Sequence, residues 1–332
     1  MISGKKRVAV IGSGSWATAL AKILLENLAE INWFFRNKEN IGQFEKFKHN
    51  PGYLRGVEFD TSRIRFYSDI NKISEDSEII ILAIPSAFLG KALTDLKTDI
   101  SKKFVVSGIK GIVSDENLLV GEYINKYFNV PFNSIGVIAG PCHAEEVALE
   151  RLSFLTIACP DEVKAKEFAD LIACEYIRSK VSDDIWGTEY TSVIKNIIAI
   201  SAGIVNGLRY GDNFQSVLMA NAIQEMKRFV DKVHPITRDI KSSVYLGDML
   251  VTAYSQFSRN RLFGTMIGKG YSVITAQLEM HMVAEGYYAA KAIYELNKKF
   301  KVDMPISEAV YRILYENIPP KNEIALLIEK LN

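Results

Sequence analysis

The stretch Val8-Ala9-Val10-Ile11-Gly12-Ser13-Gly14-Ser15-Trp16-Ala17 places a short apolar run directly before a glycine-rich turn, and residues 18–25 then have the composition of a helix. Gly12 permits a tight turn after a strand, and Gly14 lets a phosphate group approach the backbone. Ala17 is small enough for the helix to pack closely on the strand. Strand, turn and helix follow in the order of a dinucleotide-binding unit, so the sequence predicts such a site here.

The same unit carries information about its ligand. Backbone amides at the start of the helix, near Ser15 and Trp16, would face the phosphates of a dinucleotide. The next apolar run, 31–35, is followed by Arg36. An acidic residue at this point usually binds the ribose hydroxyls of NAD, whereas an arginine suits the 2′-phosphate of NADP. Arg36 therefore favours NADP; use of NAD and a plain solvated basic turn stay open as alternatives.

The composition of the chain excludes several classes of protein. With 332 residues, 48% of them hydrophobic and 24% charged, it has the make-up of a globular protein of two domains. A net charge of +1 argues against nucleic acid or an anionic membrane as partner. The apolar run 79–84 is too short to span a membrane. The three cysteines fit neither a disulfide framework nor a metal site, which predicts a reducing cytoplasm.

Strand-like and helical segments alternate along the first half of the chain, which is typical of a parallel, doubly wound sheet. The predicted strands after the first two are 64–67, 78–84, 104–107, 135–138, 152–158 and 176–181. From Asp184 onward, apolar residues recur at helical spacing. We therefore expect a Rossmann-like α/β dinucleotide-binding domain over 1–185 and an all-α substrate and catalytic domain over 186–332. A cleft between them is the expected place for a substrate.

Two lysines have the surroundings of catalytic groups. Lys110 follows the predicted strand 104–107, and ligands of open α/β sheets bind at the carboxyl ends of strands. Lys195 interrupts an otherwise apolar helix face, Val193 to Ile198. A buried lysine has a lowered pKa and can transfer a proton near neutral pH. The alternative for Lys195 is a lysine whose charged end reaches solvent.

Two polar stretches have donors that suit an anion. The segment Gly140–Glu146 follows a predicted strand and opens a helix, which offers backbone amides to an anion or to a nicotinamide. Asp248 is followed by the patch Ser258–Arg261, whose guanidinium, amide and hydroxyl groups suit a phosphate. The alternatives are a helix with ordinary first-turn residues for the first stretch and a polar loop between helices for the second.

Taken together, these stretches resemble the bacterial type of NAD(P)-dependent glycerol-3-phosphate dehydrogenase over nearly the whole chain. Each piece is short, but their joint order and spacing are specific. The matching pieces are Gly12–Ala21, Asn50–Leu54, Ile84–Ser86, Lys110-Gly111, Gly140–Glu146, Ile194–Ile200, Gly247-Asp248, Ser258–Arg261 and Glu285-Gly286.

The resemblance implies a role for each residue of the site. Lys195 would donate a proton during reduction and accept one during oxidation, while the nicotinamide delivers hydride to the central carbonyl of dihydroxyacetone phosphate. The residues implied to hold the triose phosphate are Lys110, Gly140, Cys142, Lys195, Asp248, Ser258, Arg259 and Asn260. The residues expected to contact the cofactor are Gly12, Gly14, Ser15, Trp16, Arg36, Lys110, Ala144, Arg259, Val283 and Glu285.

The chain departs from the family's pattern at two places. Cys142 stands where the family often has Ser or Thr, and a thiol is a poorer hydrogen-bond partner than a hydroxyl. Thr191-Ser192 stands before Lys195 where many members have two glycines, which makes the approach to the lysine bulkier. Neither departure removes a charged group that the implied mechanism needs.

The leading hypothesis is a reductase that makes sn-glycerol 3-phosphate for phospholipid synthesis, with NADP as cofactor, NAD possible, and a homodimer as its assembly. One alternative is another two-domain dehydrogenase of the β-hydroxyacid type, acting on a carboxylate, which the Ser258–Arg261 patch would also bind. Another is a redox sensor that binds NADP without turnover. The sensor would not need Lys110 and Lys195 together, and both are present.

Overall fold

A computed structural model describes residues 6–113, 116–280 and 283–332, and these residues group into two compact units. The first unit comprises the described parts of Met1–Ile109 and Val120–Ile185. The second comprises those of Lys110–Leu119 and Trp186–Asn332. The segment Lys110–Leu119 thus groups with the helical unit, although it lies inside the range 1–185 that the sequence analysis assigns to the dinucleotide-binding domain.

The described residues form ten strands and fifteen α-helices. The strands are β1 (Val8–Ile11), β2 (Ile31–Phe34), β3 (Ile64–Tyr67), β4 (Ile79–Leu82), β5 (Phe104–Ser107), β6 (Ile112–Val113), β7 (Leu118–Leu119), β8 (Ile135–Ala139), β9 (Ser153–Ala158) and β10 (Ile177–Ser182). The helices of the first unit are α1 (Ser15–Asn27), α2 (Lys38–Phe47), α3 (Ile70–Glu75), α4 (Ser86–Leu93), α5 (Val120–Phe128), α6 (Ala144–Ala148) and α7 (Glu162–Ile172). The remaining helices are α8 (Ile185–Gly207), α9 (Gly211–Val233), α10 (Asp248–Tyr254), α11 (Arg259–Gly268), α12 (Val273–Glu279), α13 (Glu285–Phe300), α14 (Pro305–Tyr315) and α15 (Pro320–Ile328).

The first unit is built on an eight-stranded sheet with the order β10-β9-β8-β5-β4-β1-β2-β3. Strands β1, β4 and β8 are buried along their whole length, as expected where both faces of a parallel sheet are covered. Aliphatic and β-branched residues dominate these strands, because such side chains pack well on a pleated surface. The predicted Rossmann-like domain followed by a helical domain is confirmed.

The sheet departs from the predicted parallel arrangement at one position. Strands β8 and β9 pair antiparallel, whereas β9 and β10 are parallel to each other. A parallel crossover usually carries a helix that crosses the face of the sheet. The connection 140–152 holds only the five-residue α6, and the chain reverses direction at Gly140, whose φ is +120°.

The second unit is organised around α8, which is buried along almost its entire length from Thr188 to Val205. The neighbouring α9 is tied to the start of α14 through Glu225. The Glu225 carboxylate accepts hydrogen bonds from the backbone N–H groups of Ile306, at 2.7 Å, and Ser307, at 2.9 Å. These two donors lie in the first turn of α14 and have no carbonyl partner within their own helix, so the carboxylate satisfies them.

Helix α11 crosses α8 at a glycine contact. A Cβ on Gly203 or Gly207 of α8 would overlap with backbone atoms of α11, and a Cβ on Gly264 of α11 would overlap with the carbonyl group of Ile200. The two helices therefore meet main chain to main chain. None of the described helices combines the length and the apolar character needed to cross a membrane.

We expect Gly264→Ala to lower the midpoint of thermal unfolding of the helical unit. The added methyl group meets backbone atoms that cannot rotate away, and overpacking of this kind costs about 1–3 kcal/mol. Differential scanning calorimetry measures the change.

The matched control is Gly42→Ala in α2, where an added Cβ meets no atom within 4 Å. Alanine is the better helix former by about 1 kcal/mol, so this control is expected to leave the midpoint unchanged or raise it. An equal loss in both variants would contradict the account of the α8–α11 crossing.

Candidate active site

The glycine-rich turn between β1 and α1 has the conformation that a dinucleotide requires. Gly12 has a φ of +133°, and a Cβ there would overlap with the carbonyl oxygen of Ala83, so only glycine fits. A Cβ on Gly14 would meet no atom within 4 Å, so the turn is open at this point. Gly14 is also the residue before α1, and no side chain caps the helix there. Uncapped amides and an open backbone fit a pyrophosphate.

Two further residues predicted to contact the cofactor lie in the same unit. The Trp16 indole Nε1 lies 2.8 Å from where a Cβ on Gly108 would stand, so the ring packs over the backbone just beyond β5. Arg36 follows β2, is exposed, and forms no ion pair with a described residue. An arginine at the carboxyl end of β2 fits a 2′-phosphate.

The segment after β8 places three more predicted residues. Gly140 turns with a positive φ, and a Cβ there would lie 2.6 Å from the carbonyl oxygen of Phe154 on β9. Cys142 and Ala144 are buried, each 7% exposed, and Ala144 is the first residue of α6. The backbone of this segment is therefore held against the sheet where β8 ends.

Three charged side chains meet in the second unit. The ammonium group of Lys195, on α8, is paired with Oδ1 of Asp248, the first residue of α10. The other oxygen, Oδ2, lies 3.5 Å from Nζ of Lys110. Lys195 and Asp248 are almost completely buried, whereas the Lys110 side chain is 20% exposed. One carboxylate thus contacts two ammonium groups in a site with little access to water.

This arrangement sets the acidity of Lys195. Burial lowers the pKa of Lys195 because the charged form loses its hydration. The Asp248 carboxylate raises that pKa again, and the positive charge of Lys110 lowers it. The net direction is downward, which brings the Lys195 pKa closer to neutrality and allows the group to give and regain a proton there.

A chain of amide hydrogen bonds joins this charged cluster to α13. Asn196 donates from Nδ2 to the carbonyl oxygen of Lys110 at 2.7 Å, and its Oδ1 accepts from Nδ2 of Asn260 at 2.9 Å. Oδ1 of Asn260 in turn accepts from the backbone N–H of Gly286 at 2.9 Å. The Asn260 side chain therefore bridges α8 and α13. Its second Nδ2 hydrogen and its backbone N–H would be the donors for a phosphate.

The start of α11 carries the predicted phosphate ligands. Ser258 is the residue before the helix, and its hydroxyl oxygen accepts from the backbone N–H of Arg261 at 3.2 Å. The side chain of Arg259 reaches the carbonyl oxygen of Val283, with its Nη1 3.5 Å away. Glu285 follows as the first residue of α13. Within the second unit, the start of α11 thus lies beside the start of α13.

Sequence reasoning assigned no role to three polar groups of α8, although Ser192 is named above as a departure from the family's pattern. Asn196 is the bridge described above, and the hydroxyls of Thr188 and Ser192 are buried without a hydrogen-bond partner among the described residues. Thr188 and Ser192 lie two turns and one turn before Lys195, respectively, on one face of the helix. For Asn196 the signal was available, because it interrupts the same apolar face, Val193 to Ile198, as Lys195 does.

Comparison with known proteins matches both halves of the chain to one family. The family model described as NAD-dependent glycerol-3-phosphate dehydrogenase N-terminus matches residues 7–165, and its C-terminus counterpart matches residues 184–325. The glycerol-3-phosphate dehydrogenase [NAD(P)+] of Staphylococcus carnosus strain TM300 is 34% identical over 97% of each chain.

Two solved structures have the same fold over almost the whole chain. The crystal structure of glycerol-3-phosphate dehydrogenase from Coxiella burnetii superposes with a TM-score of 0.89 at 27% identity, covering 98% of this chain and 99% of that one. The enzyme from Saccharomyces cerevisiae superposes with a TM-score of 0.82 at 25% identity over 98% and 99%. Both halves of the sequence match the family models, and the relatives match at full length. The chain therefore belongs to the NAD-dependent glycerol-3-phosphate dehydrogenase family.

Proposed function

We propose that the protein reduces dihydroxyacetone phosphate to sn-glycerol 3-phosphate with NAD(P)H, reversibly, and so supplies glycerophospholipid synthesis. The observation that carries this proposal is the buried Lys195–Asp248–Lys110 cluster in a chain of this family. A reduction of a ketone needs a proton for the oxygen as well as a hydride for the carbon. Lys195 is the buried acid that can supply that proton.

Lys195 acts as the general acid in this proposal. NAD(P)H, when bound, supplies the hydride to the carbonyl carbon. As negative charge builds on the carbonyl oxygen, the Lys195 ammonium group transfers a proton to it, and in the reverse direction the amine accepts the proton from the alcohol. Asp248 holds the Lys195 ammonium group in one position. The positive charge of Lys110 stabilises the negative charge that develops on the carbonyl oxygen.

The start of α11 binds the substrate phosphate in this proposal. The guanidinium group of Arg259, the hydroxyl of Ser258 and the first backbone N–H groups of α11 offer donors of the kind that a dianion needs. Gly140 and Cys142 are the further substrate contacts that the family resemblance implies. A fixed phosphate orients the carbonyl toward Lys195, which supports the rate by positioning the reacting atoms.

The proposed cofactor contacts begin with the glycine-rich turn and Arg36. The open turn at Gly12 and Gly14 supports a bound pyrophosphate, and exposed Arg36 supports the 2′-phosphate of NADP with NAD as a second cofactor. The remaining proposed contacts are Ser15, Trp16, Lys110, Ala144, Arg259, Val283 and Glu285.

The two alternatives from the sequence have less support. A dehydrogenase of the β-hydroxyacid type would share the fold, but both halves of the chain match the family models of glycerol-3-phosphate dehydrogenase. A redox sensor without turnover has no need for two lysines on one buried carboxylate. A homodimer is the assembly that we propose from the family resemblance. A reducing cytoplasm is the proposed location, supported by the three free thiols at Cys142, Cys159 and Cys174.

We expect Lys195→Met to lower kcat for NADPH-dependent reduction of dihydroxyacetone phosphate by about 10²–10⁴-fold, the contribution of a positioned general acid. Methionine keeps the apolar length of the side chain and removes the proton. Absorbance at 340 nm follows the reaction. The control Lys298→Ala removes an exposed lysine of α13 that pairs with Glu295, and is expected to retain activity. Undiminished turnover by Lys195→Met, or no turnover by the wild type, would contradict the proposal.

We expect Arg36→Asp to reduce the ratio of kcat/KM for NADPH to that for NADH by about 10-fold or more, since a hydrogen bond to a charged group contributes about 1.5–3 kcal/mol. The carboxylate would also repel the 2′-phosphate. The control Arg65→Asp changes an exposed arginine of β3 that pairs with Glu30. An unchanged ratio in Arg36→Asp would exclude Arg36 from cofactor choice.

The pH dependence of reduction is expected to move in opposite directions in two variants. Reduction needs protonated Lys195, so kcat falls as the pH rises through the pKa of that group. Asp248→Asn removes the charge that raises the Lys195 pKa, so the alkaline limb should move to lower pH. Lys110→Gln removes the charge that lowers it, so the limb should move to higher pH. The measurement is kcat against pH for each variant; shifts of the same sign would be inconsistent with this account.

A further inference from the structure

Three successive carbonyl groups of the glycine-rich turn are each bound by a side chain. The oxygens of residues 12, 13 and 14 accept hydrogen bonds from Trp33 Nε1 at 2.8 Å, Asn50 Nδ2 at 3.0 Å and Thr18 Oγ1 at 2.9 Å, in that order. Thr18 belongs to α1 itself, so its bond is local. Trp33 lies on β2 and Asn50 follows α2, so the other two bonds join the turn to separate parts of the unit.

These bonds determine where the N–H groups of the turn point. A peptide group is planar and trans, so its N–H points opposite to its C=O. Fixing the carbonyl oxygens of residues 12–14 therefore fixes the N–H groups of residues 13–15 on the other side. Within the described residues, none of these three N–H groups donates a hydrogen bond. The turn thus presents three oriented donors on the side where Gly14 is open.

The Trp33 anchor is itself rigid. Its indole is fully buried and packs among the rings of Phe44, Phe59 and Phe66, whose centroids lie 5.3, 5.6 and 6.4 Å away. Aromatic side chains packed in this way have few other rotamers available. The indole N–H has no second acceptor within the described residues, so the Gly12 carbonyl is its specific partner.

The Asn50 anchor uses its whole amide group. Nδ2 gives its second hydrogen to Thr18 Oγ1 at 2.7 Å, and Oδ1 accepts from the backbone N–H groups of Gly52 at 2.9 Å and Tyr53 at 3.2 Å. The side chain is only 2% exposed. Every polar atom of the amide is therefore satisfied, and its orientation is determined by four bonds.

We propose that Trp33 and Asn50 are positioning residues that hold the turn in the conformation that binds the pyrophosphate of the cofactor. The inference rests on the proposed function, because it assumes that NAD(P)H binds at Gly12–Ser15. Neither side chain touches the cofactor in this proposal. Each acts by preventing a peptide group from rotating its carbonyl oxygen toward the phosphates, which would replace an attractive contact by a repulsive one. Binding then loses little freedom of the turn.

The test is the affinity for two ligands in Trp33→Phe and Asn50→Ala, measured by isothermal titration calorimetry. Trp33→Phe keeps an aromatic ring but removes the N–H donor together with part of a buried ring, so the Phe66→Leu control is needed to separate lost packing in the same cluster from the lost hydrogen bond. The first ligand is NADPH. The second is adenosine 2′-monophosphate, which can contact Arg36 but has no pyrophosphate.

The controls are Phe66→Leu and Asn32→Ala. Phe66 belongs to the same aromatic cluster as Trp33 but forms no hydrogen bond to the turn. Asn32 is a buried asparagine on β2 whose amide binds Ser77 at 2.8 Å instead. Both controls should bind NADPH as the wild type does.

We expect the Kd for NADPH to rise by about 3- to 10-fold in each anchor variant, the effect of losing the hydrogen bond that each of these side chains donates to a carbonyl group of the turn. The Kd for adenosine 2′-monophosphate should not change. At saturating NADPH, kcat should stay at the wild-type value while KM for NADPH rises. Unchanged NADPH affinity in both variants, or an equal loss for both ligands, would overturn the positioning role. Absence of NADPH binding by the wild type would overturn the proposed function as well, so the two failures are distinct.

Discussion

The pairing of Lys195 with Asp248 inside the helical unit is the interaction on which the rest of the site depends. Removing one ammonium group and one carboxylate from water costs several kcal/mol for each ion, and their attraction offsets this only with good geometry and further hydrogen bonds. The Lys110 ammonium group supplies a further contact to Asp248, and the Asn196–Asn260–Gly286 chain holds the backbone of Lys110. The second unit therefore keeps this ion pair buried at a cost in stability, and in the proposed function the buried Lys195 is the proton donor.

Local patterns in the sequence were sufficient to predict the fold class, the glycine-rich turn and the unusual setting of Lys195. The Gly12–Ala17 turn could be predicted because its backbone conformation requires glycine, and that requirement is local. Lys195 could be singled out because a cation in an apolar helix face conflicts with its surroundings. In both cases the signal lay within a few residues.

The rest depended on contacts that no local pattern contains. The reversal of β9 was missed because a buried strand has the same apolar composition whether its neighbour is parallel or antiparallel. Asp248 was recognised as a site residue, but not as the shared partner of two lysines. One partner, Lys110, precedes β6, and the other, Lys195, lies on α8, so both are far from Asp248 in the sequence. Asn260 was expected as a phosphate ligand, and the structure uses most of its amide to join helices.

The glycine crossing of α8 and α11 has a further consequence. Because Gly203 and Gly264 have no side-chain rotamers, the spacing between the helix that bears Lys195 and the end of the helix that bears Arg259 is fixed by main-chain atoms. In the proposed function, this spacing sets the distance between the proton donor, Lys195, and the phosphate site at the start of α11. A longer sugar phosphate could not be accommodated by repacking side chains at the crossing, because there are none to repack. Selection of the substrate by the length of its carbon chain would then depend on the main-chain contact between α8 and α11.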